Sequence, residues 1–309
     1  MGNIVLEPSI DSKENVLGRR DTRLPLTLFA WAATLLLSQL PLVIARDFLK
    51  TDIPWIAPAW IGAALLFFAV SFTWQALRPL RWYFLIMALI ILFVYIVSPF
   101  ILQSAAWQNA FTGVPVIVGI FATRVLFTIE TLIVLGMLAL LGLKRKDMFQ
   151  VRGDLNAPVE GIRIRKRPVG WIVFGTIMAT LLGGLFFTFM VGESTYSLTS
   201  FQAALPWLPL ILLSAIGNAF TEEGMYRAAP LSLLQPVVGS SHALWMTALW
   251  FGFGHFYGGI PSGYEGLIMT SLLGLLLGRA MLDTRGMGWP MIIHIVMDTV
   301  VFLFIVVMG

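Results

Sequence analysis

Residues 205–232 read LPWLPLILLSAIGNAFTEEGMYRAAPLS. A helix of about 20 mostly apolar residues crosses a hydrocarbon core of roughly 30 Å, and this stretch is long and apolar enough to do so. Glu222, Glu223 and Arg227 nevertheless sit inside it. Ionisable side chains at that depth cost several kcal/mol each, so each one requires a partner or a purpose.

Comparable apolar stretches recur on both sides, near 24–45, 55–77, 82–102, 115–143, 170–190, 242–258, 265–283 and 289–308. Together with 205–232 they predict an all-α, polytopic membrane helix bundle of about nine transmembrane helices. Composition agrees: 58% of the chain is hydrophobic and only 12% charged, where an ordinary soluble chain is about a quarter charged. That excludes a water-soluble globule. The net charge of +4 is carried mainly by short basic loops between apolar runs, which suits setting topology and not binding nucleic acid. With no cysteine there is no disulfide framework, thiolate nucleophile or cysteine-ligated zinc.

Four parts follow: a basic segment 1–23, a four-span block 24–143, a basic loop 144–169 and a five-span block 170–309. The first segment has no apolar core of its own and does not read as a cleavable signal peptide; Leu6 stands where myristoylation wants Ser or Thr. A cytoplasmic N-terminus puts Lys13, Arg19, Arg20, Arg23, Arg78, Arg81, the basic loop, Arg279 and Arg285 on the inner side. Among basic residues outside the spans, only Arg46 and Lys50 are then external. That asymmetry is what the positive-inside rule expects, and it places the C-terminus outside. Gly274 and Gly278 suit close helix packing.

The ionisable residues cluster in the second block. Glu223 and Arg227 are four residues apart on one helical face and can pair, whereas Glu222 points roughly 100° away from Glu223 and is free for chemistry. Two of the three histidines also lie in spans, His255 after Phe251-Gly252-Phe253-Gly254 and His294 four residues before Asp298. His294 and Asp298 share a face, so three helices can converge on one polar pocket. A glutamate there suits a general base, with a histidine to steady or relay the proton. The second histidine and Asp298 could bind an oxyanion or position a carbonyl. An ionised Asp cannot donate a hydrogen bond, so Asp298 must be protonated for that role or act by orienting His294.

The elements Glu-Glu-x-x-x-Arg (Glu222, Glu223, Arg227), Phe-x-x-x-His (Phe251, His255) and His-x-x-x-Asp (His294, Asp298), in this order on late helices, resemble the CPBP or ABI family, which groups type II CAAX prenyl endopeptidases with bacteriocin-processing proteins. The resemblance covers roughly residues 168–308. It implies an intramembrane endopeptidase in which Glu222 activates water with His255 as partner, and His294 and Asp298 form the oxyanion site. Glu223 and Arg227 would hold their helix and Phe251 would wall the pocket. The CAAX endopeptidase branch usually has Asn at the last position, and Asp occurs among bacterial relatives, which favours a protein of a bacterial inner membrane.

On this reading the partners are membrane lipids and a membrane-bound or lipid-modified peptide or protein, with no nucleic acid. No cofactor is expected, since there is no His-Glu-x-x-His pair on one helix; the alternative is zinc held by Glu222, His255, His294 and Asp298. A second class, a proton-coupled or non-catalytic membrane protein, would use the same charges as a relay, but no inverted repeat of broken helices is present. Arg124 and Glu130, six residues apart on different faces of the fourth span, are expected to pair with other helices or mark a frayed end, and not to form a second site. His242 reads as an ordinary polar cap, and nothing is assigned to Glu265.

Overall fold

The computed structural model describes residues 11–192 and 197–308, with side chains from residue 24 onward. Residues 1–10 of the expected N-terminal segment, the side chains of Lys13, Arg19, Arg20 and Arg23, and Gly309 lie outside the described residues.

The described chain is a helical bundle. Its elements are α1 (Asp11–Leu36), α2 (Leu40–Phe48), α3 (Ile56–Thr73), α4 (Gln75–Leu102), α5 (Ala105–Phe111) and α6 (Val116–Leu140), then a hairpin of β1 (Pro158–Ile164) and β2 (Arg167–Gly170). After it come α7 (Trp171–Gly192), α8 (Leu198–Val238), α9 (Ser240–Gly254), α10 (Gly263–Thr284) and α11 (Gly288–Met308). Among the described residues, 7 helices are long and apolar enough to cross a membrane, or 8 if the bent pair Leu24–Leu36 with Leu40–Phe48 is one span.

Two of the nine expected spans differ for identifiable reasons. The segment 24–45 is bent by 54°, where Pro41 at the start of α2 lacks the N–H that would continue α1. The segment 242–258 is only α9, 15 residues long, which at about 1.5 Å per residue reaches roughly 22 Å. It stops at Gly254, and His255–Ser262 continue as loop. The basic loop 144–169 also contains structure not foreseen: β1 pairs with β2 antiparallel, and Arg165 and Lys166 turn the chain with φ of 48° and 67°.

Membrane residence inverts the usual placement of side chains. Leu66, Leu181 and Leu272 face outward, each 59–61% exposed, while Glu130, Asn218, Glu223, Arg227, His294 and Asp298 are buried. In lipid the exposed apolar surface has no cost, and helix association depends on close packing and interhelical hydrogen bonds.

Small residues supply that packing. A Cβ on Gly252 of α9 would run into Ser271 Oγ and the Leu267 carbonyl of α10, and one on Gly274 would meet Ala248. Similarly, α7 lies on α11 through Gly175 against Trp289 and Gly183 against Val296. We expect Gly252→Val to separate α9 from α10 and destabilise the chain by about 1–3 kcal/mol, the range of an overpacked core. A thermal unfolding midpoint equal to wild type would show that the two helices are not held this way.

The turn between α10 and α11 is pinned by residues 151–155. Met287 N–H donates to the Val151 carbonyl at 2.9 Å and Asp154 N–H to the Thr284 carbonyl at 2.8 Å, and Trp289 Nε1 donates to the Leu155 carbonyl at 2.8 Å. This clamp sets where α11 starts, and so the depth of His294 and Asp298.

Candidate active site

The central helix α8 is irregular where its charges lie. After Glu222 it widens into a π turn over Glu223–Ala228, because Pro230 has no N–H for the Tyr226 carbonyl. Such single π turns recur at functional sites. Here the turn carries Glu223 and Arg227 into the protein, both fully buried.

Glu223 and Arg227 form an ion pair one turn apart, and the Arg227 guanidinium stacks 5.0 Å over the Phe251 ring of α9. Glu223 Oε1 also lies 2.8 Å from His294 Nδ1 of α11. On the other edge of the same imidazole, Nε2 is 3.3 Å from Glu222 Oε2 and 3.7 Å from Asp298 Oδ2. Both adjacent glutamates therefore reach one histidine, from opposite ring nitrogens. A neutral imidazole donates from one nitrogen only, so either His294 is the imidazolium or a proton resides on the Glu222 side.

Asn218 completes the cluster and was not singled out from the sequence. Its Nδ2 donates to Asp298 Oδ2 at 2.9 Å and to Glu222 Oε1 at 3.2 Å. Both amide protons are thereby used, and the two carboxylates are held apart by one neutral side chain. The signal was present: an amide one helical turn before Glu222, in a span with no need of it.

His255 caps the end of α9. Its Nδ1 is 3.2 Å from the Phe251 carbonyl and its ring packs edge-on against Phe251 with centroids 4.6 Å apart. It lines the same cavity as Glu222, about 280 Å³ in volume, with Arg124, Asn218, His294 and Asp298. The expected pairing of Glu222 with His255 is not a hydrogen bond among the described residues; Glu222 is engaged by His294 and Asn218 instead. Phe251 walls this cavity, together with Phe186, Leu273 and Phe302.

Of the two unexplained residues in α6, Glu130 pairs with another helix as expected, since Ser98 Oγ of α4 lies 2.7 and 2.8 Å from its two oxygens. Arg124 has no ion pair among the described residues. It stacks on Phe127 and Phe302 at 5.5 and 5.4 Å and lines the cavity. His242 Nδ1 accepts from Trp31 Nε1 at 3.1 Å, away from the site. Beyond His255, the Tyr257 hydroxyl donates to Asp47 at 2.5 Å, tying the loop to the end of α2. Partial burial, then that bond and the Asp47 charge, push the Tyr257 phenol up to about 12.

Among the described residues, no three His, Asp or Glu side chains are grouped so as to hold a metal ion, and His294 Nδ1 is already taken by Glu223.

Fold and site together define a multi-pass membrane protein with a carboxylate–imidazole–amide cluster opening into a cavity enclosed by its helices. Residues 203–300 match the family model described as type II CAAX prenyl endopeptidase Rce1-like, a match over this segment that supports a CAAX protease family assignment. The matched segment contains Glu222, Glu223, Arg227, Phe251, His255, His294 and Asp298, and Asn218 as well. No curated protein and no solved structure matches the chain.

Proposed function

We propose that this protein is an intramembrane endopeptidase that hydrolyses a peptide bond of a membrane-bound or lipid-modified substrate with water activated by Glu222. The observation that carries this reading is the convergence of Glu222, His255, His294 and Asp298 on one cavity, in the segment that matches a protease family.

Glu222 takes a proton from water, and the oxygen attacks the scissile carbonyl. As the C–N bond breaks, the proton passes from Glu222 to the leaving amine. His294, oriented by Glu223 at Nδ1, presents Nε2 beside Glu222 and serves the developing oxyanion. Asp298 accepts from Asn218, which supports the orienting role for this residue over that of a hydrogen-bond donor. His255 assists from the cavity wall.

The substrate class rests on a second cavity. An apolar groove of about 310 Å³ between α7, α10 and α11, lined by Leu182, Leu185, Leu272 and Leu276, shares Phe186, Thr270, Leu273 and Met297 with the polar cavity. An apolar anchor lying in this groove brings the adjoining peptide to Glu222. The N-terminus is taken as cytoplasmic and the membrane as a bacterial inner membrane.

The test is a cleavage assay in proteoliposomes with a lipid-anchored peptide and its unanchored counterpart, with and without a chelator. We expect cleavage of the anchored peptide and an unchanged rate after chelation. Loss of activity on chelation, restored by zinc, would replace this mechanism with the zinc-dependent one, and equal cleavage of both peptides would remove the groove from the account.

A further inference from the structure

Beside Glu222, and sharing no lining residue with the apolar groove, a smaller cavity of about 100 Å³ lies between α4, α6 and α8. Its walls include Ser98, Arg124, Glu130, Asn218, Thr221 and Glu222. Three of these carry buried polar atoms without a hydrogen-bond partner among the described residues: Arg124 Nε, Asn218 Oδ1 and Thr221 Oγ1. A buried polar atom left unpaired costs free energy, and native structures satisfy such atoms with protein or ordered water. Three orphans on one small cavity, beside a carboxylate, point to a single explanation.

We propose that this cavity is a water chamber that supplies Glu222, with Thr221 and Glu130 as its positioning residues; this rests on the reading of Glu222 as the base. At about 30 Å³ per molecule the chamber has room for about three waters, and a stable buried water needs about two to four polar partners. Thr221 Oγ1, Asn218 Oδ1, Arg124 Nε and the two glutamates provide them. Ser98 has one hydroxyl proton for the two oxygens of Glu130, so Glu130 retains lone pairs to receive water hydrogens.

Glu222, Asn218 and Arg124 line both cavities and form the partition between them. Once a lipid-anchored substrate occupies the larger cavity, water from the substrate side is excluded. A molecule stored beside the base reaches the carbonyl without crossing the substrate. Each bond cleaved consumes one water: its O–H bond breaks as Glu222 takes the proton, and its oxygen bonds to the carbonyl carbon. No other proton or electron leaves through the chamber.

The test uses the full chain in nanodiscs. Thr221→Val removes the hydroxyl at nearly constant volume, Glu130→Gln removes the charge, and Thr221→Ser restores the hydroxyl. We expect kcat to fall about tenfold in Thr221→Val and Glu130→Gln, the cost of mispositioning a reactant, with KM and melting temperature unchanged and with recovery in Thr221→Ser. A high-resolution structure of the wild type is expected to show ordered waters on Thr221 Oγ1 and Asn218 Oδ1. A dry chamber, or wild-type kcat in Thr221→Val, overturns the proposal. If the wild type itself cleaves no anchored peptide, the peptidase reading fails and the supply role falls with it, a result distinct from a wild type that cleaves normally while its chamber variants are unimpaired.

Discussion

Glu222→Gln is expected to lower kcat for the lipid-anchored peptide by about 10²–10⁴-fold with little change in KM, the range lost with a positioned general base. The substitution is nearly isosteric. Its amide oxygen still accepts from Asn218, which lies 3.2 Å from Glu222 Oε1, and the helix is left as it was. What is lost is the capacity to take a proton from water next to His294 Nε2. Glu222→Asp keeps the carboxylate but withdraws it by a methylene, so an intermediate rate is expected. Single-turnover cleavage in proteoliposomes measures both variants. Wild-type kcat in Glu222→Gln would pass the base to another group of the cavity, Asp298 being the remaining carboxylate on its wall.

Breaking the ion pair behind the site is expected to have the largest effect on stability. Glu223 and Arg227 are each fully buried, so Glu223→Gln leaves the guanidinium uncompensated, and Arg227→Met leaves the carboxylate so. Removal of one partner of a buried pair costs about 3–5 kcal/mol, whereas replacing both with neutral or apolar groups of similar volume is often near neutral. The double variant Glu223→Gln/Arg227→Met is therefore expected to regain most of the melting temperature lost in each single variant. Activity is expected to stay low in the double variant, because the Glu223 carboxylate that lies 2.8 Å from His294 Nδ1 is gone in it, as in Glu223→Gln. Stability recovered together with activity would show that Glu223 only balances the charge of Arg227 and does not orient the imidazole.

The roles of the two glutamates illustrate how far sequence spacing reaches. One helical turn separates Glu223 from Arg227, and their pairing needs no more than helix geometry. The 100° between adjacent residues was expected to send Glu222 elsewhere, yet both carboxylates meet His294. The imidazole of α11 lies between them and has an acceptor-facing nitrogen on each edge, a relation that depends on where a helix seventy residues later is packed. Asn218 was passed over for a related reason. An amide in an apolar span has meaning only once the distant Asp298 is brought to its second proton.

Composition, apolar run length and charge patterning by themselves determined that the chain is a helical membrane bundle, because lipid admits no unpaired backbone and each span must satisfy its hydrogen bonds internally. Local spacing determined which residues stand out against that solvent: Glu222, Glu223, Arg227, Phe251, His255, His294 and Asp298. Tertiary structure alone decided the rest. It bent 24–48 at Pro41, stopped α9 short at Gly254 and folded a hairpin from the basic loop. It also seated His294, and not His255, against Glu222, and set Arg124 and Glu130 along the smaller cavity beside it. These outcomes turn on contacts between helices far apart in the chain, made through small residues such as Gly175, Gly183 and Gly252, and no periodicity within a single span encodes its neighbour.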